Sequence, residues 1–139
     1  MRSSLENLSL HGNTILITGS SRGIGASTAR LAKLYGAHVI LHGKTDSQNL
    51  RNLASELNFN YIYCDAVDEK AVVREVGKLG NIDVLVNNAG INPSKTFMEL
   101  TNDDWRRIFE TNLLGIVNFS RAVLPQMIER KHCKIINIA

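Results

Sequence analysis

Thr18-Gly19-Ser20-Ser21-Arg22-Gly23-Ile24-Gly25 follows the apolar run Thr14-Ile15-Leu16-Ile17 and precedes a segment that places Ile24, Thr28, Leu31, Ala32 and Tyr35 on one side of a helix. A strand that turns abruptly into a helix aims backbone N–H groups and the positive helix end at one point, and glycine lets a bulky anion come close. The stretch reads as a phosphate cradle suited to a dinucleotide diphosphate. Gly19, Gly23 and Gly25 are spaced G-x-x-x-G-x-G, not the general G-x-G-x-x-G, so the surrounding pattern must decide.

Downstream, strand and helix patterns alternate. Residues 38–42 form a short apolar run, and Leu50, Leu53, Ala54 and Leu57 then repeat at helical spacing. Residues 61–64 read as a third strand, followed by a helix stripe of Val72, Val76 and Leu79 with Gly80 as its C-cap. Residues 82–86 make a fourth strand, and Ile135, Ile136 and Ile138 begin a fifth. Near-continuous apolar strands separated by helices predict a parallel sheet covered on both faces, a Rossmann-type doubly wound α/β domain occupying residues 1–139.

A longer helix is expected to start at 101–104, with Trp105, Ile108, Phe109, Leu113, Ile116, Val117 and Leu124 as its apolar stripe and Pro125 kinking or ending it. Leu114, Phe119 and Val123 lie off that stripe. Two readings stand: a wide core-facing stripe, or a second surface near 104–124 covered by a second helix or by a partner subunit, such as another copy of the chain. Asn112 falls on the stripe between Phe109 and Leu113, where an unpaired amide would cost ~1–3 kcal/mol, so it must find partners. A core asparagine that bends its helix is the plain reading.

Composition bounds the rest. With 139 residues and 44% hydrophobic content the chain can bury one core, and its net charge of +3 is scattered without a basic block, which argues against nucleic acid. Residues 1–7 lack the apolar centre of a signal peptide, and no run approaches the ~20 residues that span a bilayer, so the expectation is a soluble cytoplasmic protein without a membrane partner. Cys64 and Cys133 lack metal or redox spacing, the four histidines lack ligand or triad spacing, and no metal site is expected.

Three motifs together resemble the short-chain dehydrogenase/reductase family: residues 18–25 after the first strand, Asn87-Asn88-Ala89-Gly90 after the fourth, and Asn112 in the long helix. The resemblance covers residues 11–139 and is similar to that of the 3-oxoacyl-carrier-protein reductases. It implies a nicotinamide dinucleotide bound at the C-terminal ends of the strands. Gly19, Gly23 and Gly25 would shape the diphosphate turn, with Ser21, Arg22 and Ile24 of the same loop also cofactor-binding, while Asn87, Ala89 and Gly90 would pack around the adenosine side. Asp65 would sit near the adenine amino group, and Asn112 would serve as a structural and proton-relay residue in catalysis.

An NAD enzyme usually carries an acid at the end of the second strand, where it binds the ribose hydroxyls. Gly43 occupies that place here, with Lys44 beside it and Arg22 in the glycine turn, which favours the 2′-phosphate of NADP. Asp46 could instead be the NAD acid; the preferred reading makes it the N-cap of the helix carrying Leu50 and Leu53.

The family's proton donor is a Tyr-x-x-x-Lys pair assisted by a serine. Four residues after Tyr35, Tyr61 and Tyr63 come Val39, Asp65 and Val67, and neither Ser94 nor Ser120 matches the catalytic serine. The expectation is the N-terminal part of such a fold, truncated after the fifth strand, with an open sheet edge and no turnover of its own. A non-catalytic nucleotide-binding module or a decayed remnant is the alternative.

Overall fold

The computed structural model describes residues 9–139. Residues 1–8, including the stretch used above to argue against a signal peptide, lie outside the described part. The chain alternates β1 (Thr14–Ile17), α1 (Gly23–Leu34), β2 (His38–Gly43), α2 (Gln48–Leu57), β3 (Tyr61–Tyr63), α3 (Glu69–Val76) and β4 (Val84–Asn87). A short 3-10 turn, Phe97–Glu99, leads to α4 (Asn102–Phe109), a π-helical turn (Glu110–Leu114), α5 (Gly115–Arg130) and β5 (Lys134–Asn137).

All five strands are parallel, in the order β3-β2-β1-β4-β5. Sequence order reverses between β1 and β4, and that switch point leaves a crevice outside the strand ends, where open α/β sheets bind ligands. Strand side chains alternate between two cores. Ile15, Ile17, Val39, Leu41, Val84 and Val86 face α1 and α2, whereas Leu16, Ile40, Ile62 and Leu85 face α3 and α5. Phe119, Val123 and Met127 are fully buried in the second core, each stabilising it by about 1.5–3 kcal/mol.

Several helix readings need correction. In α1 the sheet-facing residues are Gly25, Ala26, Ala29 and Ala32, while Ile24 and Leu31 are exposed. Small side chains let α1 approach the sheet closely, so the largest apolar residues do not mark its inner face. The N-cap of α2 is Ser47, whose hydroxyl accepts the Leu50 N–H; Asp46 instead accepts the Tyr61 hydroxyl and pairs with Arg51. Helix α3 ends at Gly77, not Gly80, and α5 runs through Pro125 to Arg130.

The long helix also differs from its expected stripe. Phe119 and Val123, read as lying off it, are core residues, and Phe109 and Leu113, read as lying on it, are exposed; Leu114 is exposed as expected. The buried face of α5 is Gly115, Asn118, Phe119, Val123 and Met127, which includes a glycine and an amide that no apolar count would select. A π turn holds about one extra residue, roughly 100° of rotation, so α4 and α5 do not share one 3.6-residue stripe.

Candidate functional site

The turn between β1 and α1 is clamped from two sides. From the β4 side, the Thr18 hydroxyl accepts the N–H groups of Asn88 (3.0 Å) and Ala89 (2.9 Å), and Asn88 Nδ2 donates to the carbonyls of Thr18 and Gly19. Gly19 has φ +63°, and a Cβ there would stand 2.7 Å from Ala89 Cα, so only glycine permits this approach. From the β2 side, the Ser20 N–H donates to the His42 carbonyl and the His42 N–H donates to Ser20 Oγ.

The His42 ring completes the clamp. Its Nδ1 accepts the Gly19 N–H at 3.2 Å and its Nε2 lies 3.0 Å from the Cys64 carbonyl, so Nε2 carries the ring proton. Burial pushes His42 down to about 4, against the opposing hydrogen bond to Cys64 and the nearby Asp65 charge. One neutral imidazole thus joins the C-terminal ends of β1, β2 and β3.

The upper side of the turn is open. Gly23 has φ +58° with nothing near the position of an added Cβ, and Arg22, the N-cap of α1, makes no side-chain cap. The first α1 N–H bonded back along the helix belongs to Ala26, which donates to the Arg22 carbonyl. The N–H groups of Gly23, Ile24 and Gly25 precede that bond, at the positive end of the helix dipole. This arrangement fits a diphosphate.

A cavity of about 580 Å³ lies over this turn. Gly19, Ser21, Arg22, Gly23, Ile24, Lys44, Asp65, Ala89 and Gly90, all singled out from sequence, line it together. Gly25 and Asn87, both buried, and half-buried Asn112 do not line it. Lys44 is not a free cation: it pairs with Asp65 at 2.7 Å. Burial alone would push the Asp65 carboxyl up, but hydrogen bonds from Lys44 and the Val67 N–H hold it below the usual carboxylate range.

Asn112 finds the partners its position demands. Its Oδ1 accepts the Ile91 N–H at 2.8 Å and its Nδ2 donates to the Ile91 carbonyl at 3.0 Å, so the π turn holds the chain just after Gly90. Asn87 Nδ2 donates to Asn137 Oδ1 (2.9 Å) and Ser120 Oγ, tying β4 to β5 and α5. Sequence reasoning missed His42, Asn88 and Arg107, all of which line the cavity. Asn88 sat inside a quoted motif, but a lone strand histidine and one arginine of a charged helix carry no signal by themselves. Among the described residues no helix is long and apolar enough to cross a membrane, and no three His, Cys, Asp or Glu side chains come together as metal ligands.

Residues 13–139 match the family described as short chain dehydrogenase. An uncharacterized oxidoreductase, YvrD, of Bacillus subtilis is 33% identical over 96% of this chain and 53% of its own length. The 3-oxoacyl-[acyl-carrier-protein] reductase FabG of Thermotoga maritima is 35% identical over 94% and 56%. A crystal structure of a gluconate 5-dehydrogenase from Burkholderia cenocepacia, in complex with NADP and tartrate, superposes with a TM-score of 0.88 at 33% identity, over 98% of this chain and 56% of that one. A 3-oxoacyl-[acyl-carrier protein] reductase from Brucella melitensis with bound NAD gives 0.86 at 30% identity, over 99% and 56%. The chain spans about half the length of the curated relatives it matches. With its parallel sheet, its clamped glycine turn and a family match over nearly its whole length, the chain belongs to the short-chain dehydrogenase family.

Proposed function

We propose that this chain is the cofactor-binding part of a short-chain oxidoreductase, and that its cavity takes NADP in preference to NAD. The uncapped N-terminus of α1, opening beside Gly23 into the cavity, carries the reading. The diphosphate would rest on the first N–H groups of α1, with the adenosine toward Asp65, Ala66 and Val67. Gly43 puts no carboxylate at the end of β2, while Arg22 and Lys44 supply positive charge for a 2′-phosphate. Asp46, the alternative NAD acid, does not line the cavity and is engaged by Tyr61 and Arg51. The Lys44–Asp65 pair is exposed on its lysine side and worth only about 0–1 kcal/mol, so a phosphate can displace it.

When bound, the dinucleotide supplies hydride exchange with a carbonyl or alcohol carbon; the 3-oxoacyl class is favoured because curated relatives bear that name. Asn112 would hold the Gly90–Ile91 backbone in place beside it. No tyrosine in the chain is followed four residues later by lysine, so the chain by itself is expected to bind without turnover. Phe109, Leu113 and Leu114, exposed around the π turn, give the chain a surface for a second copy.

Calorimetric titration of the chain with NADP and NAD, alongside Lys44→Glu, tests the cofactor reading. NADP should bind more tightly, and Lys44→Glu should cut that preference by about tenfold, the scale of one lost charge-assisted contact. Tighter NAD binding overturns the preference. Binding of neither points to a remnant.

A further inference from the structure

Arg107, near the end of α4, lines the cofactor cavity and also a second hollow of about 370 Å³ beside it. The two hollows share Arg22, Gly90, Ile91 and Arg107. They therefore meet between two guanidinium groups carried by different elements, one on the glycine turn and one on α4.

Two neighbouring cations are already matched. Lys95 pairs with Asp104 at 2.7 Å, and Arg106 pairs with Asp103 at 2.6 Å. Among the described residues Arg107 has no such partner, although Glu110 lines the same cavity one turn later. An unpaired guanidinium at a cavity keeps its rigid fork of N–H donors for an entering anion, and phosphate matches that fork. The need for such a charge is clear. A diphosphate carries two negative charges, while a helix end offers the equivalent of about half a positive one.

Position along the cavity selects the anion. Gly43, Lys44, Asp65, Ala66 and Val67, which surround the adenosine end, line only the first hollow, whereas Arg107 also borders the second, with Arg22 and Gly90–Pro93. Arg107 thus extends past the adenosine end to the Gly90–Pro93 side of the glycine turn, which Lys44 does not reach. Building on the dinucleotide reading above, we infer that Arg107 is a phosphate-binding residue that closes on the cofactor diphosphate from α4. The glycine turn holds that group with neutral N–H donors, and Arg107 supplies the matching charge.

The test is calorimetry of the full chain with NAD and with NADP, comparing Arg107→Gln, Arg107→Lys and Arg106→Gln. Arg107→Gln should weaken both dinucleotides alike, by about tenfold each, which is the scale of one charge-assisted hydrogen bond. Arg107→Lys should recover part of the loss. Arg106→Gln, with the same change in net charge on the same helix, should leave both affinities unchanged. Because Arg107 is exposed, its variants should melt with the unaltered chain, which separates lost binding from lost fold. Unchanged affinity in Arg107→Gln, an equal loss in Arg106→Gln, or a loss confined to NADP overturns the inference while leaving the dinucleotide reading intact. Failure of the unaltered chain to bind either dinucleotide overturns both.

Discussion

The imidazole of His42 holds the Gly19 N–H at 3.2 Å from beneath the glycine turn, through a ring nitrogen that accepts only while the ring is neutral. Protonation would set two N–H groups against each other at the point where β1 becomes the turn. The opposite ring nitrogen is already committed to the Cys64 carbonyl, and Phe119 packs edge-on at 4.7 Å, so the ring has no room to turn away.

Stability should therefore depend on pH through His42. Burial holds the folded ring at about 4, whereas an unfolded histidine titrates near 6.5. Between those values the unfolded chain takes up a proton that the folded chain refuses. The contribution is complete above about pH 6.5 and is lost as pH falls toward 4, a change on the order of 3 kcal/mol. Urea midpoints should fall between pH 7 and pH 4.5, and fall less in His42→Asn, which keeps an acceptor without titrating. Parallel falls in both proteins would assign the effect to other groups.

Two glycines of the turn should fail in different ways. Gly19→Ala places a methyl against the Ala89 backbone at positive φ and should cost about 2 kcal/mol or more of stability. Gly23→Ala has the same handedness but meets open space, and should cost only about 1 kcal/mol. Its methyl would project into the cavity mouth and weaken dinucleotide binding. Thermal melts and titrations on the two variants separate these effects, and equal melting losses would contradict the difference in packing.

Asn112→Ala removes both hydrogen bonds to Ile91 and should cost about 1–3 kcal/mol, since the Ile91 N–H and carbonyl lose their partner. Hydrogen exchange gives a local readout. The Ile91 amide should exchange faster in the variant while the β1 amides keep their protection. Unchanged Ile91 protection would mean that the π turn does not hold this segment.

The two cysteines should differ in reactivity. Cys64 is buried and its thiol is pushed up to about 11, chiefly by that burial, while Cys133 is exposed. Thiolate is the reactive form, so iodoacetamide at pH 8 should modify the native chain once, at Cys133, and reach Cys64 only on unfolding. Early double labelling, read by mass, would show that the β3 end opens readily.

Much of this architecture is legible in the residues. Val39-Ile40-Leu41 and Leu50-Leu53-Leu57 declare a buried strand and its covering helix, and the glycines between β1 and α1 mark the phosphate turn. What resisted reading has physical causes. The inner face of α1 is built from alanines and Gly25, which an apolar count ranks below exposed Ile24 and Leu31. The π turn at Glu110–Leu114 breaks the helical period, and α5 buries Gly115 against Ala66 and Asn118 against the Ala66 carbonyl. His42 and Arg107 become meaningful only when residues 23 positions apart and a distant helix meet around one cavity.

The most direct measurement is an amide NMR titration of the isotope-labelled chain with NADP. The expected result is large, saturable shifts at Gly19, Gly23, Ile24 and Gly90, with β5 and the far end of α5 unmoved. Saturating NADP that leaves the Gly23 and Ile24 amides in place would contradict a diphosphate seated on the end of α1.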